Sequence, residues 1–339
     1  LRVLVVDDSA FMRKVITDIL NSDPELNVVG TARDGSDAIT RTLELHPDVI
    51  TMDIEMPRVD GLTALKKIME TRPTPVVMLS ALTHHAAPLT LEALELGAID
   101  YIPKPSGSLS LDIGEIREEI IKKVKTAALA RIRRRKKHLK TPLRLSRTGD
   151  SIIAIASSTG GPAALAEILP QFPQNTPPIA IVQHMPTGFT SSLAERLDQE
   201  SRVEVREAEE GDILETGVAL IAPGGQHMEV DRLLRVKLNQ KPKLHGVRPA
   251  ADPLFTSLAR HAGKRVIGVV LTGMGRDGAD GVVEIKRQGG QTLAQDRDSC
   301  TVYGMPQEAV KTGNIDKVAP LGRLPTEILR MCTRRGVGQ

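Results

Sequence analysis

Short aliphatic runs alternate with amphipathic stretches along most of this chain, and that alternation constrains its fold more than any other feature. Residues 3–6, 28–30, 49–52, 76–79 and 99–102 are rich in Val, Ile and Leu and have the length of buried strands. Between them, residues 11–20, 36–45, 61–70 and 89–96 carry apolar side chains at helical spacing. Repetition of strand, helix and strand makes successive strands parallel, because the crossover helix returns the chain to the same end of the sheet. The spacing therefore predicts a five-stranded parallel sheet covered by helices. Ile116, Ile120, Val124 and Ala128 then mark a longer helix, supported by Glu118 with Lys122 and Glu119 with Lys123.

The alternation resumes near Ser151, with strand candidates at residues 152–156, 179–182, 218–221, 266–271 and 291–294. A second α/β domain, doubly wound and mostly parallel, is expected there. Residues 230–238 alternate apolar with charged side chains and read as a hairpin or an edge strand. Charge separates the two halves: residues 1–105 hold 16 acids against 10 bases, and residues 122–147 hold 12 bases and no acid. That basic stretch, interrupted by Thr141-Pro142, reads as an exposed linker. The expected division is residues 1–122, a linker over 123–150, and a second domain over 151–339, which suits a length of 339 residues better than one core does. Cys300 and Cys332 are the only cysteines and form no C-x-x-C motif, which argues against a disulfide framework or a zinc site. With no run of eighteen apolar residues and no leader before the first strand-like run, the expectation is a cytoplasmic protein that is not membrane-inserted.

Polar residues gather where the first set of strands ends. Asp7 and Asp8 follow the first strand, Asp53 ends the third, Ser80 ends the fourth and Lys104 follows the fifth. Carboxyl ends of parallel strands are where such sheets place their ligands, so these side chains should converge. Asp7 and Asp8 alone could be turn or cap residues. Clustered carboxylates, however, repel one another and favour a hard divalent cation, of which Mg²⁺ is the natural choice. These segments, with Asp60-Gly61 and Lys104-Pro105, resemble the response-regulator receiver family over about residues 1–122. The resemblance implies a flavodoxin-like receiver in which Asp53 accepts phosphate from a chemotaxis histidine kinase. It further implies that Asp7, Asp8 and Asp53 hold Mg²⁺, and that Ser80, Tyr101 and Lys104 relay the switch.

A different chemistry is suggested in the second half. The strand at 152–156 runs into Ser157-Ser158-Thr159-Gly160-Gly161-Pro162, a tight turn into a helix that opens with proline. Such a turn exposes a serine near N–H donors and the positive end of a helix dipole. Neither G-x-x-x-x-G-K-[ST] nor G-x-G-x-x-G occurs, which makes a nucleotide loop the weaker reading. A nucleophilic serine needs a histidine base held by a carboxylate. His184 follows the strand at 179–182, and Asp277 follows the strand at 266–271 through a glycine-rich loop. His227 also follows a strand, and Asp252, Asp280 and Asp296 are alternative acids, so spacing alone leaves the assignment open.

Residues 151–339 resemble the chemotaxis receptor methylesterase family, CheB. The resemblance is carried by Ser157 to Pro162, Gln183-His184-Met185-Pro186, Ala222-Pro223-Gly224-Gly225, Leu271 to Gly278, Ser299-Cys300 and Tyr303 to Ala309. It implies Ser158 as nucleophile, His184 as general base and acid, Asp277 as orienting carboxylate and the Met274 backbone N–H as oxyanion donor. The implied reaction is hydrolysis of glutamate γ-methyl esters on methyl-accepting chemoreceptors, with glutamine deamidation by the same acyl chemistry in some members. No cofactor is expected for the hydrolysis itself. Phosphorylation at Asp53 is expected to activate the esterase, for instance by uncovering the Ser158 cleft. A DNA-binding response regulator, which the basic stretch invites, fits poorly with the α/β alternation after it, so no nucleic-acid partner is expected.

Overall fold

The computed structural model describes residues 1–81, 86–104, 113–132, 143 and 149–333, apart from the side chains of 113–116. It divides into two compact units, Leu1–Lys136 and Lys137–Gln339. Most of the basic stretch, and Pro105, lie outside the described residues.

In the first unit, β1 (Arg2–Val6), β2 (Asn27–Ala32), β3 (Val49–Asp53), β4 (Val76–Ser80) and β5 (Asp100–Pro103) alternate with α1 (Ala10–Asn21), α2 (Gly35–Leu45), α3 (Gly61–Thr71) and α4 (Ala86–Leu96), and α5 (Ile113–Ala128) follows. All pairings in the sheet are parallel and its order is β2-β1-β3-β4-β5. Strand order reverses between β1 and β3, which leaves a crevice at their carboxyl ends. Val3, Val5, Ile16, Leu20, Val77 and Val124 pack into one buried cluster, each contributing about 1.5–3 kcal/mol by leaving water. Helix starts follow local chemistry: Ser9, Asp34 and Asp60 each accept an N–H from the first turn of α1, α2 and α3. Helix α5 runs without a break across residues 122 and 123.

In the second unit, β6 (Ile152–Ser157), β7 (Ile179–Gln183), β8 (Glu204–Glu207), β9 (Val218–Ile221), β12 (Val266–Val270), β13 (Gln291–Gln295) and β14 (Lys317–Ala319) form a seven-stranded sheet in the order β14-β13-β12-β6-β7-β9-β8. Every pairing is parallel. The chain starts in the middle, winds outward through β7, and later returns to wind the other way from β12, so the reversal lies between β6 and β12. Its helices are α6 (Gly161–Ile168), α7 (Phe189–Glu200), α8 (Ala251–Ala262), α9 (Ala279–Arg287), α10 (Met305–Lys311) and α11 (Leu324–Thr333). Strands β10 (His227–Val230) and β11 (Val236–Asn239) form an antiparallel hairpin outside that sheet. The alternating stretch at 230–238 is thus the turn and second arm of a hairpin, not an edge strand. Phe172, Phe189 and Phe255 are fully buried, so aromatic rings share with the aliphatics the packing of this half.

The start of α3 shows how closely helix and sheet meet at the first crevice. Gly61 donates its N–H to Ile54 O at 2.9 Å, and a methyl group on it would stand 2.0 Å from the Asp53 carbonyl oxygen. Gly61→Ala should therefore destabilise the first unit by about 2–4 kcal/mol, since backbone must move to relieve the clash. Urea denaturation measures this, and a loss under about 0.5 kcal/mol would contradict so close an approach.

Candidate functional sites

At the first crevice, β1 and β3 deliver Asp7, Asp8 and Asp53 with ligand oxygens within 4.8 Å of one another. Asp7 is fully buried and Asp53 is 3% exposed. Asp7 Oδ1 accepts the Ser9 N–H at 2.9 Å, so Asp7 does serve the turn. Its Oδ2 receives no hydrogen bond and is faced by Lys104 Nζ at 3.1 Å. Lys104 Nζ also donates to Asp53 Oδ2 at 2.5 Å. Burial pushes the Asp53 carboxyl up to about 6, with Asp7 adding to the rise and Lys104 opposing it. The donor set suits a hard divalent cation such as Mg²⁺: oxygen ligands and more negative charge than the single ammonium of Lys104 offsets.

The remaining residues expected at this site face the neighbouring helices. Ser80 Oγ lies 2.7 Å from Thr90 Oγ1 on α4, and Thr90 in turn donates to Ala86 O. Tyr101 is buried on β5 with Lys123 Nζ of α5 5.1 Å from its ring centroid, and the same ammonium donates to Tyr101 O.

At the second crevice, three adjacent strands, β12, β6 and β7, present Asp277, Ser158 and His184 beyond their carboxyl ends. Ser157 is fully buried and donates to Gln183 Oε1 at 2.7 Å. Ser158, next in the chain, is partly exposed. Its backbone is tied to both flanking strands: its N–H donates to Thr272 O at 3.1 Å, and its carbonyl accepts from Gln183 Nε2 at 3.0 Å. Gly160 at the start of α6 has φ +76°, and a Cβ there would stand 2.5 Å from Thr301 Oγ1, so glycine is required on both counts.

His184 Nε2 and Asp277 Oδ2 are 2.6 Å apart. An ionised carboxylate only accepts, so Nε2 carries the proton and Nδ1 is the nitrogen able to take another. Asp277 is 1% exposed. Burial alone would raise its carboxyl, but the His184 hydrogen bond and charge, with the Ala251 and Asp252 N–H groups, hold it below the ordinary range. Those two groups donate at 2.6 and 3.1 Å from the first turn of α8.

The rival assignments have other partners. His227 is 2% exposed, accepts the Ala250 N–H at Nδ1 and faces Pro242 O with Nε2, which occupies both nitrogens. Asp280 pairs with Arg276, Asp296 accepts the Ser299 N–H, and Asp252 meets His245. Met274 lies between Gly273, which accepts the Gly304 and Met305 N–H groups, and Gly275. Sequence reasoning gives Gln183, Thr272 and His245 no role, and Asp252 only that of an alternative acid. For Gln183 the signal was present, a polar residue ending a buried strand beside His184.

Residues 153–328 match the CheB methylesterase family, and residues 3–112 match the response regulator receiver domain. A Pyrococcus abyssi protein named protein-glutamate methylesterase/protein-glutamine glutaminase is 53% identical, covering 97% of this chain and 93% of its own length. One of the same name from Symbiobacterium thermophilum is 48% identical, covering 97% and 96%. The crystal structure of the Thermotoga maritima CheB methylesterase catalytic domain aligns with a TM-score of 0.52 and 41% identity, covering 53% of this chain and 98% of that one.

The electrostatics of the first crevice give a signed expectation. Asp53 holds its proton up to about 6 in the folded chain, against an ordinary 3.8 for an aspartate. The folded state thus binds more protons than the unfolded one between those values, and Asp53 subtracts stability as pH rises through that window. Lys104→Met removes the ammonium that offsets this, so in metal-free buffer it should cost about 2–3 kcal/mol at pH 7.5, with much of the loss recovered at pH 5. Urea denaturation at both pH values measures it, and an equal loss at both would contradict the buried-charge account.

Proposed function

Because this chain belongs to the CheB methylesterase family and carries a response regulator receiver domain before the esterase, we propose that its two crevices form a phosphoryl switch and a serine hydrolase site. The protein is a phosphorylation-regulated protein-glutamate methylesterase of the protein-glutamine glutaminase class. Its substrates are γ-methyl esters of glutamate on methyl-accepting chemoreceptors, its phosphodonor is a chemotaxis histidine kinase, and it works in the cytoplasm. No described helix is long and apolar enough to cross a membrane.

The observation that carries the esterase reading is the His184–Asp277 hydrogen bond of 2.6 Å at strand ends flanking Ser158. His184 Nδ1 takes the proton of Ser158 Oγ as that oxygen attacks the ester carbonyl. The carbonyl electrons move onto oxygen, where the Met274 N–H is the assigned donor. Collapse of the tetrahedral species breaks the bond to the methoxy oxygen, and His184 returns the proton, releasing methanol. Water, deprotonated by His184, then attacks the acyl-serine and yields the glutamate carboxylate with Ser158 restored. A glutamine amide follows the same course with ammonia leaving. Asp277 stays ionised throughout and stabilises the imidazolium that forms. The histidine is used in the opposite sense to chymotrypsin, where Nδ1 faces the carboxylate.

In the receiver, Asp53 is the phosphoacceptor. Asp7, Asp8 and Asp53 would hold Mg²⁺, which when bound neutralises charge on the transferring phosphoryl group. Lys104 supplies a further cation to it. Ser80, which meets Thr90 on α4, and Tyr101, which lies against Lys123 on α5, would report the change to those helices.

Methanol release from methylated receptor tests the scheme. Ser158→Ala should lose about 10⁴-fold or more in kcat, as removal of a nucleophile does. Asp53→Asn should keep the basal rate but lose stimulation by a small-molecule phosphodonor, and EDTA should abolish the same stimulation in the unaltered protein. Undiminished release by Ser158→Ala would refute the nucleophile, and stimulation surviving in Asp53→Asn would refute the acceptor.

A further inference from the structure

Behind Asp277 lies a second histidine–carboxylate pair for which the esterase scheme has no task. His245 Nε2 and Asp252 Oδ2 are 2.9 Å apart. Asp252 is 5% exposed, and its Oδ1 accepts the Gly281 N–H at 2.7 Å. Each acid therefore sits on the first turn of the other's helix. Asp277, from the loop before α9, is held by the Ala251 and Asp252 N–H groups of α8, while Asp252, from α8, is held by the Gly281 N–H of α9. The exchange is tight: a Cβ on Gly281 would stand 3.1 Å from Asp252 Oδ1. Residue 252 thus supplies both an N–H that fixes Asp277 and the carboxylate that anchors α8 to α9.

We propose that Asp252 and His245 are positioning residues for the hydrolase: they lock the start of α8 so that its N–H groups hold Asp277 against His184. This inference rests on the assignment of Ser158, His184 and Asp277 and adds to it. The groups facing Asp252 are His245 from the segment after β11, Asp277 from the loop before α9, and Asp280 on α9 with its partner Arg276, with His184 of the β7 end beyond Asp277. Burial and then the neighbouring Asp277 push the Asp252 carboxyl up to about 6, against the hydrogen bonds from Gly281 and His245. Asp277, by contrast, is drawn lower. The two carboxylates titrate as a linked set, and on acidification the proton goes first to Asp252. Protonation there weakens its hold on His245 and loosens the α8 start. Activity should then fall further on acidification as Asp252 takes up its proton.

The test measures kcat and KM for methanol release by the full chain between pH 5 and 9, for the unaltered protein and for Asp252→Asn, Asp252→Ala, His245→Gln and Ser158→Ala. Asp252→Ala should lower kcat about 30- to 100-fold, the scale of a misplaced catalytic group, with KM changed less than about twofold. Asp252→Asn keeps the shape and one acceptor but not the charge. As the neutral counterpart of protonated Asp252 it should lose about three- to tenfold in kcat at pH 8, and its fall on the acid side should be shallower than that of the unaltered protein. His245→Gln should fall between these two in kcat. If Asp252→Ala fails to fold, the acid-limb slope of Asp252→Asn and the kcat of His245→Gln decide alone. Unchanged kcat in the Asp252 and His245 variants, with an acid-side fall in Asp252→Asn as steep as in the unaltered protein, would overturn the positioning role. Were Ser158→Ala fully active, the nucleophile assignment itself would fail, whereas an inactive Ser158→Ala beside unaffected Asp252 variants would sink this inference only.

Discussion

A carboxylate taken out of water persists only where donors or cations replace its hydration, and both halves of this chain are organised around that constraint. Parallel strands end together, so a parallel sheet collects whatever follows them into one crevice per reversal of strand order. In the first unit the crevice receives Asp7, Asp8 and Asp53, and the compensation is one ammonium, Lys104, reaching two of them. In the second it receives Asp277, and the compensation is two N–H groups of α8 and the His184 ring. The inner strands are largely apolar and buried and need no such arrangement.

Much of this was legible in the sequence, because the aliphatic runs and the acids that follow them are local signals. All five strands of the receiver and five of the seven in the second sheet overlap runs that periodicity marks out. Two were not visible, β8 (Glu204–Glu207) and β14 (Lys317–Ala319), which are the outermost strands of that sheet. Edge strands carry charge and need less apolar surface, so Glu204, Arg206 and Glu207 hide one and Lys317 the other.

Site residues divide along a similar line. Physics brought Asp7, Asp8, Asp53 and Lys104 together, because each is adjacent to a strand end whose place in the sheet the pattern fixes. Choosing His184 over His227 lay beyond spacing, since both follow strands. What separates them is a set of long-range partners: Ala250 N–H and Pro242 O for His227, Asp277 for His184. Ser157 and Ser158 are likewise indistinguishable in a string of letters. The pleat turns one into the sheet, where Gln183 takes its hydroxyl, and leaves the other at the surface of the crevice. The crosswise hold of Asp252 and Asp277 on the starts of α9 and α8 joins residues 25 to 29 apart, and no periodicity announces it.

The two crevices treat their central carboxylate in opposite ways, and the opposition fits what each must do. Asp53 is pushed up to about 6, in a site with more negative charge than its single lysine offsets. Such a site gains from any event that adds a divalent cation or converts the carboxylate into an acyl phosphate, so it responds to its surroundings. Asp277 is drawn below the ordinary range by fixed donors that need no rearrangement during turnover. Its charge is permanent, as the proposed role of steadying an imidazolium requires. Similar folds and similar strand-end geometry thus yield a switch in one unit and a preorganised catalyst in the other, and the difference lies in whether the compensating groups are an under-matched side chain or the backbone itself.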